Sequence, residues 1–557
     1  MSRKKRHIPE QARSSVSSPA SGRLAAVLDR RTTWVAIALV TLASARIVST
    51  YTVFNHTIDE PAHIACGMEW LDQGVYRYEH QHPPLARVAA ALGPYLDGTR
   101  SWKKPSMWNE GAGLLYGRKS YDRTLALARL GILPFFWIAC AVVYLWARRH
   151  SGKMEALLAL ALFSFLPPVL AHAGLATTDM ALTAFLSAAF LLLTMWLEQP
   201  DWRRSALFGL ALGLAVLSKF SVLAFFPACV LTIAALAWWT KRPPLGAAPR
   251  ALLRLLPGAA LALLAAGLVI WAGYRFSFGT VHFANVKLPA PELYSGIRSV
   301  MEHNRDGNPT YLLGEYGKTG WWYYYLVVLA VKTPLPFLAL AIAGAAICFQ
   351  RRREQGWRDL APLAMVVGIV AFASLFSRIN IGVRHVLPVY VAASVLAAVA
   401  ARRLFDTRPS SAWPRLLLGA ALVWHAGTSA LSHPDYIPYF NALAGTEPEK
   451  IVVDSDLDWG QDMKRLSARL RELSAREVAF NPFILAHYEA VHGFPKIQPL
   501  DPFEPQPGWN AVSLTILKLA RMGLFEKHLD KPLWPDRVKP LERVGKGVLL
   551  YHFPPGR

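Results

Sequence analysis

The stretch NHTIDEPAHIACGMEWLDQGVYRYEHQHPPL, residues 55–85, follows directly on the apolar run WVAIALVTLASARIVSTYTV, residues 34–53. The run is long enough to cross a bilayer. The stretch after it is the densest early cluster of ionisable side chains in the chain: Asp59, Glu60, His63, Glu69, Asp72, Glu79, His80 and His82. A pair of acids immediately outside a membrane span points to a functional site. Asp-Glu-Pro is also a good helix start, so the residues alone leave two roles open for Asp59: cap of a surface helix, or member of a site.

Outward from this stretch, composition agrees with a membrane protein. Of 557 residues 53% are hydrophobic, and mean hydropathy is +0.26. An ordinary soluble domain is less apolar. The formal net charge of +23 would suggest a nucleic-acid partner in a soluble chain. Here the basic residues form short clusters between apolar runs, which fits membrane orientation and contact with anionic lipids, and no nucleic acid is expected. The four cysteines, Cys66, Cys140, Cys229 and Cys348, have no metal-site spacing and predict no disulfide framework. There is no Walker loop, no GxGxxG and no HExxH. No cofactor and no catalytic metal are predicted.

Hydropathy predicts about eleven spans. They lie near 34–54, 123–147, 154–172, 180–197, two within 206–239 divided at Ser218-Lys219, then 251–274, one within 322–349, 360–377, 385–401 and 415–431. With the N-terminus in the cytoplasm, the internal loops 148–153, 203–204, 241–254, 351–358 and 402–415 are all basic, as the positive-inside bias requires. Residues 1–31 are basic and Ser-rich and read as a disordered cytoplasmic tail. Residues 32–431 form the membrane domain, with external loops 55–122 and 275–321. The external turn 378–385 carries Arg378 and Arg384 against the bias, which hints at an anionic ligand there. Arg384 can bind phosphate oxygens bidentately.

Residues 432–557 lose the membrane-length runs and read as a small external α/β domain. KIVVDSD, REVAFNP, GWNAVSLTIL and KGVLLYHF read as strands, and GQDMKRLSARLREL as a helix. Asp454, Asp456 and Asp458 alternate, but the glycine and distal glutamate of a calcium loop are absent.

Four motifs in this order carry a resemblance. DE-P-H, a GxxY turn and HPPL within 59–85 resemble the first external loop of GT-C glycosyltransferases. The likeness is narrower to the superfamily of protein O-mannosyltransferases and aminoarabinose transferases. TTDMALT around Asp179 resembles a second motif whose Asp lies close to the catalytic pocket; an acid at a helix start also suits the helix dipole. WWYYYLVVLAVKTP, residues 321–334, is similar to their Tyr-rich segment followed by Lys-x-Pro, and brings in Tyr324 and Lys332. Clustered Trp and Tyr also suit a plain interfacial belt. RHVLP, residues 384–388, resembles their RHLLP-like motif and brings in Arg384 and His385. The string DSDLDWGQDMKRL is similar to the tail of a bacterial subgroup.

The resemblance implies a GT-C type, α-helical polytopic protein of the plasma (inner) membrane. It implies transfer, with inversion, of one sugar from a polyprenyl-phosphate donor to a protein, glycan or lipid acceptor at the outer face. Asp59 would be the base, with Glu60 beside it and Asp179 near the pocket. Arg384, His385, Lys332, Tyr324 and His82 would serve the carrier phosphate. The chain departs from aminoarabinose transferases before Pro-Pro, where they typically carry Lys and it carries His82; neutral His cannot replace a fixed positive charge. The competing reading is a polytopic transporter or a non-catalytic protein that binds a lipid carrier. A transporter would place its charges at mid-bilayer. A transferase would place Asp59, Asp179 and Arg384 around one external cavity.

Overall fold

The computed structural model describes residues 19–117, 120–241, 248–281, 283–354, 356–406, 412–527 and 531–554. Every segment predicted as a span carries a helix. Five helical stretches are by themselves long and apolar enough to cross a membrane: 31–48, 121–150, 179–198, 222–240 and 253–273. The bent pair Lys153–Ser164 and Pro167–Ala173 makes a sixth, and the apolar helices Leu335–Gln350 and Ala361–Phe376 are shorter. The chain is thus a multi-pass membrane protein. Large apolar side chains stay exposed around these helices, among them Leu231, Leu263, Ile342, Leu375 and Val423. Such a surface belongs in lipid. Residues 1–18 of the expected tail lie outside the described residues. The rest of it, 19–31, is a correction: these residues form the start of the helix Pro19–Val48.

The basic loops meet on one side. Arg149 pairs with Glu198, Arg358 lies 3.6 Å from the same carboxylate, and Arg402 lies 3.9 Å from Glu155. The other side holds the polar loops and the C-terminal domain. There the helix Glu60–Met68 is fully buried between the helices Pro84–Leu96 and Met107–Tyr116. Pro61 suits its first turn. Gly67 lies so close to the Arg87 carbonyl that no Cβ would fit, and this contact fixes the crossing.

The C-terminal domain is built on a five-stranded sheet with spatial order 496–498, 477–480, 508–513, 548–553, 542–544. The two pairings of 477–480 are parallel and the remaining two are antiparallel. Side chains alternate faces. Val512, Leu549 and Tyr551 pack with Trp534 on one face. Ala511, Val548 and Leu550 pack with Met463, Leu466 and Leu470 of the helix Met463–Glu472 on the other. Two strand expectations fail. KIVVDSD turns twice as short 3-10 helices, Pro448–Lys450 and Asp454–Asp456, and Asp454 has a left-handed φ of 59°. GWNAVSLTIL is a strand only to Ser513 and then turns into the helix Leu514–Glu526. In the first case burial of acidic side chains against the membrane domain outweighs β-propensity, which is itself a contextual preference.

This turning segment stitches the two parts together. Asn55 donates to the Gly460 carbonyl (2.6 Å) and accepts from the Met463 amide (2.7 Å). The amide of Val383 donates to Asp456 Oδ1 (3.1 Å), and Ser455 Oγ donates to the Ile381 carbonyl (2.6 Å). The tail therefore sets the backbone that presents Arg384.

Candidate active site

Asp59 stands at the N-cap position of the helix Glu60–Met68, yet its side chain makes no capping hydrogen bond. It points instead to Arg384, whose Nη1 donates to Asp59 Oδ2 at 2.7 Å. The guanidinium of Arg384 lies over the buried ring of Trp459, 4.2 Å from its centroid. Its Nη1 is also 3.9 Å from Asp179 Oδ2. Asp179, the first residue of the helix Asp179–Glu198, is 1% exposed and accepts from Lys219 Nζ at 2.6 Å. Two carboxylates and two cations thus form one chain of charge, Asp59–Arg384–Asp179–Lys219. Each buried charge has a partner, as burial demands.

This chain borders a cavity of about 720 Å³. Its lining carries the cations Arg87, Lys219 and Arg384, the carboxylates Asp59 and Glu79, and the imidazoles of His63, His82 and His385. It also carries the apolar side chains of Leu223, Phe225, Ile297, Val300, Met301 and Phe372. A cavity lined by both cations and apolar side chains suits an amphipathic anion.

The polar lining continues into the HPPL loop. Glu79 accepts from Arg87 and lies 3.0 Å from His82 Nδ1. Burial favours the neutral form of Glu79, but the guanidinium of Arg87 and the contact with His82 outweigh it and hold the carboxyl down at about 2. Arg87 itself is 1% exposed and also donates to Tyr76 Oη (2.9 Å) and His63 Nδ1 (3.0 Å).

Of the residues picked out in the sequence, Asp59, Arg384, His385 and His82 line the cavity. Asp179 does not line it but lies behind Lys219 and Arg384. Three others do not fit their expected places. Glu60 is fully buried in a bidentate ion pair with Arg129 (2.8 and 2.9 Å) and accepts from the amides of Thr57 and Ala176. With its oxygens so occupied it cannot face a substrate. Lys332 is buried beneath the C-terminal domain, where Nζ donates to the carbonyls of Ile437 (2.7 Å) and Asp456 (2.6 Å). Tyr324 points away from the cavity and accepts from the Gly382 amide at 2.9 Å. The next residue, Tyr325, takes the cavity position and donates to the Ile379 carbonyl (2.6 Å).

Sequence reasoning passed over Lys219, Tyr325 and Trp459. A lysine interrupting the apolar run 206–239 was the available signal for Lys219, since a charge there is costly unless used. Among the described residues no group of three or more His, Cys, Asp or Glu stands close enough to hold a metal ion.

Residues 126–271 match the family described as dolichyl-phosphate-mannose-protein mannosyltransferase. The chain is similar to a crystal structure of ArnT from Cupriavidus metallidurans bound to undecaprenyl phosphate. The TM-score is 0.51 and the identity 15%, over 93% of this chain and 98% of that one. It is also similar to the same protein in the apo state, at TM-score 0.50 and 15% identity, over 94% and 98%. No curated protein sequence matches the chain. The fold is that of the ArnT structures, and within it residues 126–271 carry the likeness to the mannosyltransferase family.

Proposed function

We propose that this GT-C protein transfers a single sugar from a polyprenyl-phosphate donor to an acceptor hydroxyl at the outer face of the membrane, with inversion. The observation that carries the reading is the meeting of Asp59 and Arg384 on the wall of a cavity lined by both cations and apolar side chains. The apolar side chains suit the start of the prenyl chain. Arg384 and Lys219 suit the phosphate.

The Asp59–Arg384 pair gives the reaction an order. An arriving phosphate competes for the Arg384 guanidinium, and Asp59 is released to accept a proton. The acceptor oxygen then attacks the anomeric carbon, and its proton passes to Asp59. The bond from that carbon to the phosphate oxygen breaks, and polyprenyl phosphate leaves with the electron pair. Arg384 and Lys219 stabilise the charge that grows on it. A single displacement inverts the anomeric centre. Trp459 and Asp179 are positioning residues: the first backs the guanidinium of Arg384, and the second holds Lys219 and the inner edge of Arg384.

The basic loops gathered on one side support a cytoplasmic N-terminus, and with it a site and a C-terminal domain at the outer face of the plasma membrane. The Arg384 and Asp59 positions at helix ends favour a transferase over a transporter with a mid-bilayer pathway. The test is incubation of purified protein with a panel of polyprenyl-phosphate sugars and an acceptor panel, following release of free polyprenyl phosphate. Release with none of the donors across the acceptor panel would contradict the reading.

A further inference from the structure

His82 and Glu79 form a dyad on the cavity wall that the mechanism above leaves unused. Glu79 is ionised, so its Oε2 can only accept. Nδ1 of His82, 3.0 Å away, therefore carries the imidazole proton. Arg87 Nη2 lies 3.2 Å from the same nitrogen and donates to the same carboxylate, which completes a triangle. With Nδ1 committed, the basic nitrogen of neutral His82 is Nε2, and the ring is 28% exposed along the cavity wall. In that state Nε2 offers a lone pair and would repel a phosphate oxygen. Once protonated, the same atom becomes a charged donor.

We infer that His82 takes up a proton as the phosphate of the carrier binds, so that carrier capture is coupled to protonation of Nε2. This rests on the transferase reading and deepens it. The groups facing the imidazole agree in sign. Arg87 on the helix Pro84–Leu96, Lys219 before the helix Val222–Lys241, and the rings of His63 (centroids 5.2 Å apart) and His385 surround it, with Glu79 as the only acid in the triangle. Burial, aided by Arg87 and Lys219, keeps the free imidazole below its ordinary value; Glu79 opposes this without cancelling it. A phosphate brings up to two negative charges into the same space and reverses the balance. Glu79 keeps the ring oriented and shares the imidazolium charge, as a carboxylate behind a histidine does elsewhere. The proton comes from solvent and leaves when the carrier leaves.

The sign follows from linkage. The free group has the lower pKa and the bound group the higher one, so between the two values binding weakens by up to about tenfold for each unit of rising pH. The phosphate's own second ionisation near pH 6 acts in the opposite direction. A His82→Lys variant, with a fixed charge, supplies the baseline that removes this contribution.

The experiment is calorimetric titration of the purified protein with undecaprenyl phosphate, and separately with inorganic phosphate, at pH 7.5 in two buffers of different protonation enthalpy. Expected is uptake of close to one proton per undecaprenyl phosphate bound, with inorganic phosphate binding far more weakly. For His82→Lys the uptake should fall by close to one proton, and the ratio of wild-type to variant Kd should rise toward tenfold per unit between pH 6.5 and 8. Binding of undecaprenyl phosphate by wild type with no proton uptake would overturn the inference and leave the transferase reading intact. Equal uptake in wild type and a folded His82→Lys would assign the proton elsewhere and overturn it too. Uptake with inorganic phosphate alone would remove the lipid carrier as its source. Absence of binding at every pH would sink the transferase reading itself.

Discussion

Asp59 and Arg384 are 325 residues apart in the chain and 2.7 Å apart in space. The arginine is the shared element of the site, because it pairs with one carboxylate, approaches a second and lies over Trp459. Replacing it by Ala should weaken carrier binding as well as turnover. A hydrogen bond to a charged group is worth about 1.5–3 kcal/mol, so Kd for undecaprenyl phosphate should rise about tenfold to a hundredfold. Titration calorimetry of Arg384→Ala checks this; a Kd equal to that of wild type would show that the phosphate does not meet this side chain.

Glu60 should matter to stability. Its pairing with Arg129 is fully buried, and breaking one side of such a pair costs about 3–5 kcal/mol. Glu60→Gln should unfold at lower temperature in a detergent melting experiment. The fraction that remains folded should keep near-normal turnover. Normal melting with lost turnover would instead place Glu60 in the chemistry.

Lys219 and Asp179 give a third expectation. Lys219→Ala leaves a buried carboxylate 3.9 Å from Arg384 and without its closest cation, and should lower the melting temperature. The double variant with Asp179→Asn should recover much of that stability, because the stranded charge is gone. It should still bind carrier weakly, since the phosphate has lost Lys219. Full recovery of binding in the double variant would exclude Lys219 as a phosphate ligand.

The helices were legible because long apolar runs and basic loops report the membrane directly. The ends of the site, Asp59 and Arg384, were legible because acids and bases at the edge of a span are costly to keep without use. Depth and facing were not. Tyr324 and Tyr325 are neighbours on one helix and point about 100° apart, so a motif that names the Tyr cluster cannot say which ring meets the cavity. Lys332 read as a residue for the carrier phosphate because nothing in its own segment shows that the C-terminal domain covers it. Glu60 looked like a second acid because its partner, Arg129, comes from another helix. The turn at Asp454 was hidden for the same reason: it is set by contacts with residues 381–383.

The C-terminal domain should respond to pH through Asp454. Burial pushes its carboxyl up to about 6, against the opposing effect of Arg384. A folded pKa above the unfolded value means that the neutral form is favoured in the fold. That contribution is full below about 4 and is lost as pH rises through about 6. Wild-type melting temperature should therefore fall between pH 5 and 7 more than that of Asp454→Asn, which cannot ionise. Identical slopes would show that Asp454 is not held in this way.

In the proposed reaction Asp59 accepts the proton of the acceptor hydroxyl. Asp59→Asn keeps the shape of the side chain and removes its basicity. The decisive measurement is single-turnover release of polyprenyl phosphate by purified Asp59→Asn, with folding and carrier binding verified on the same sample. A loss of about 10²–10⁴-fold in turnover is expected, with Kd for the carrier unchanged or tighter because Arg384 has lost its competitor. Turnover equal to that of wild type in this variant would contradict it.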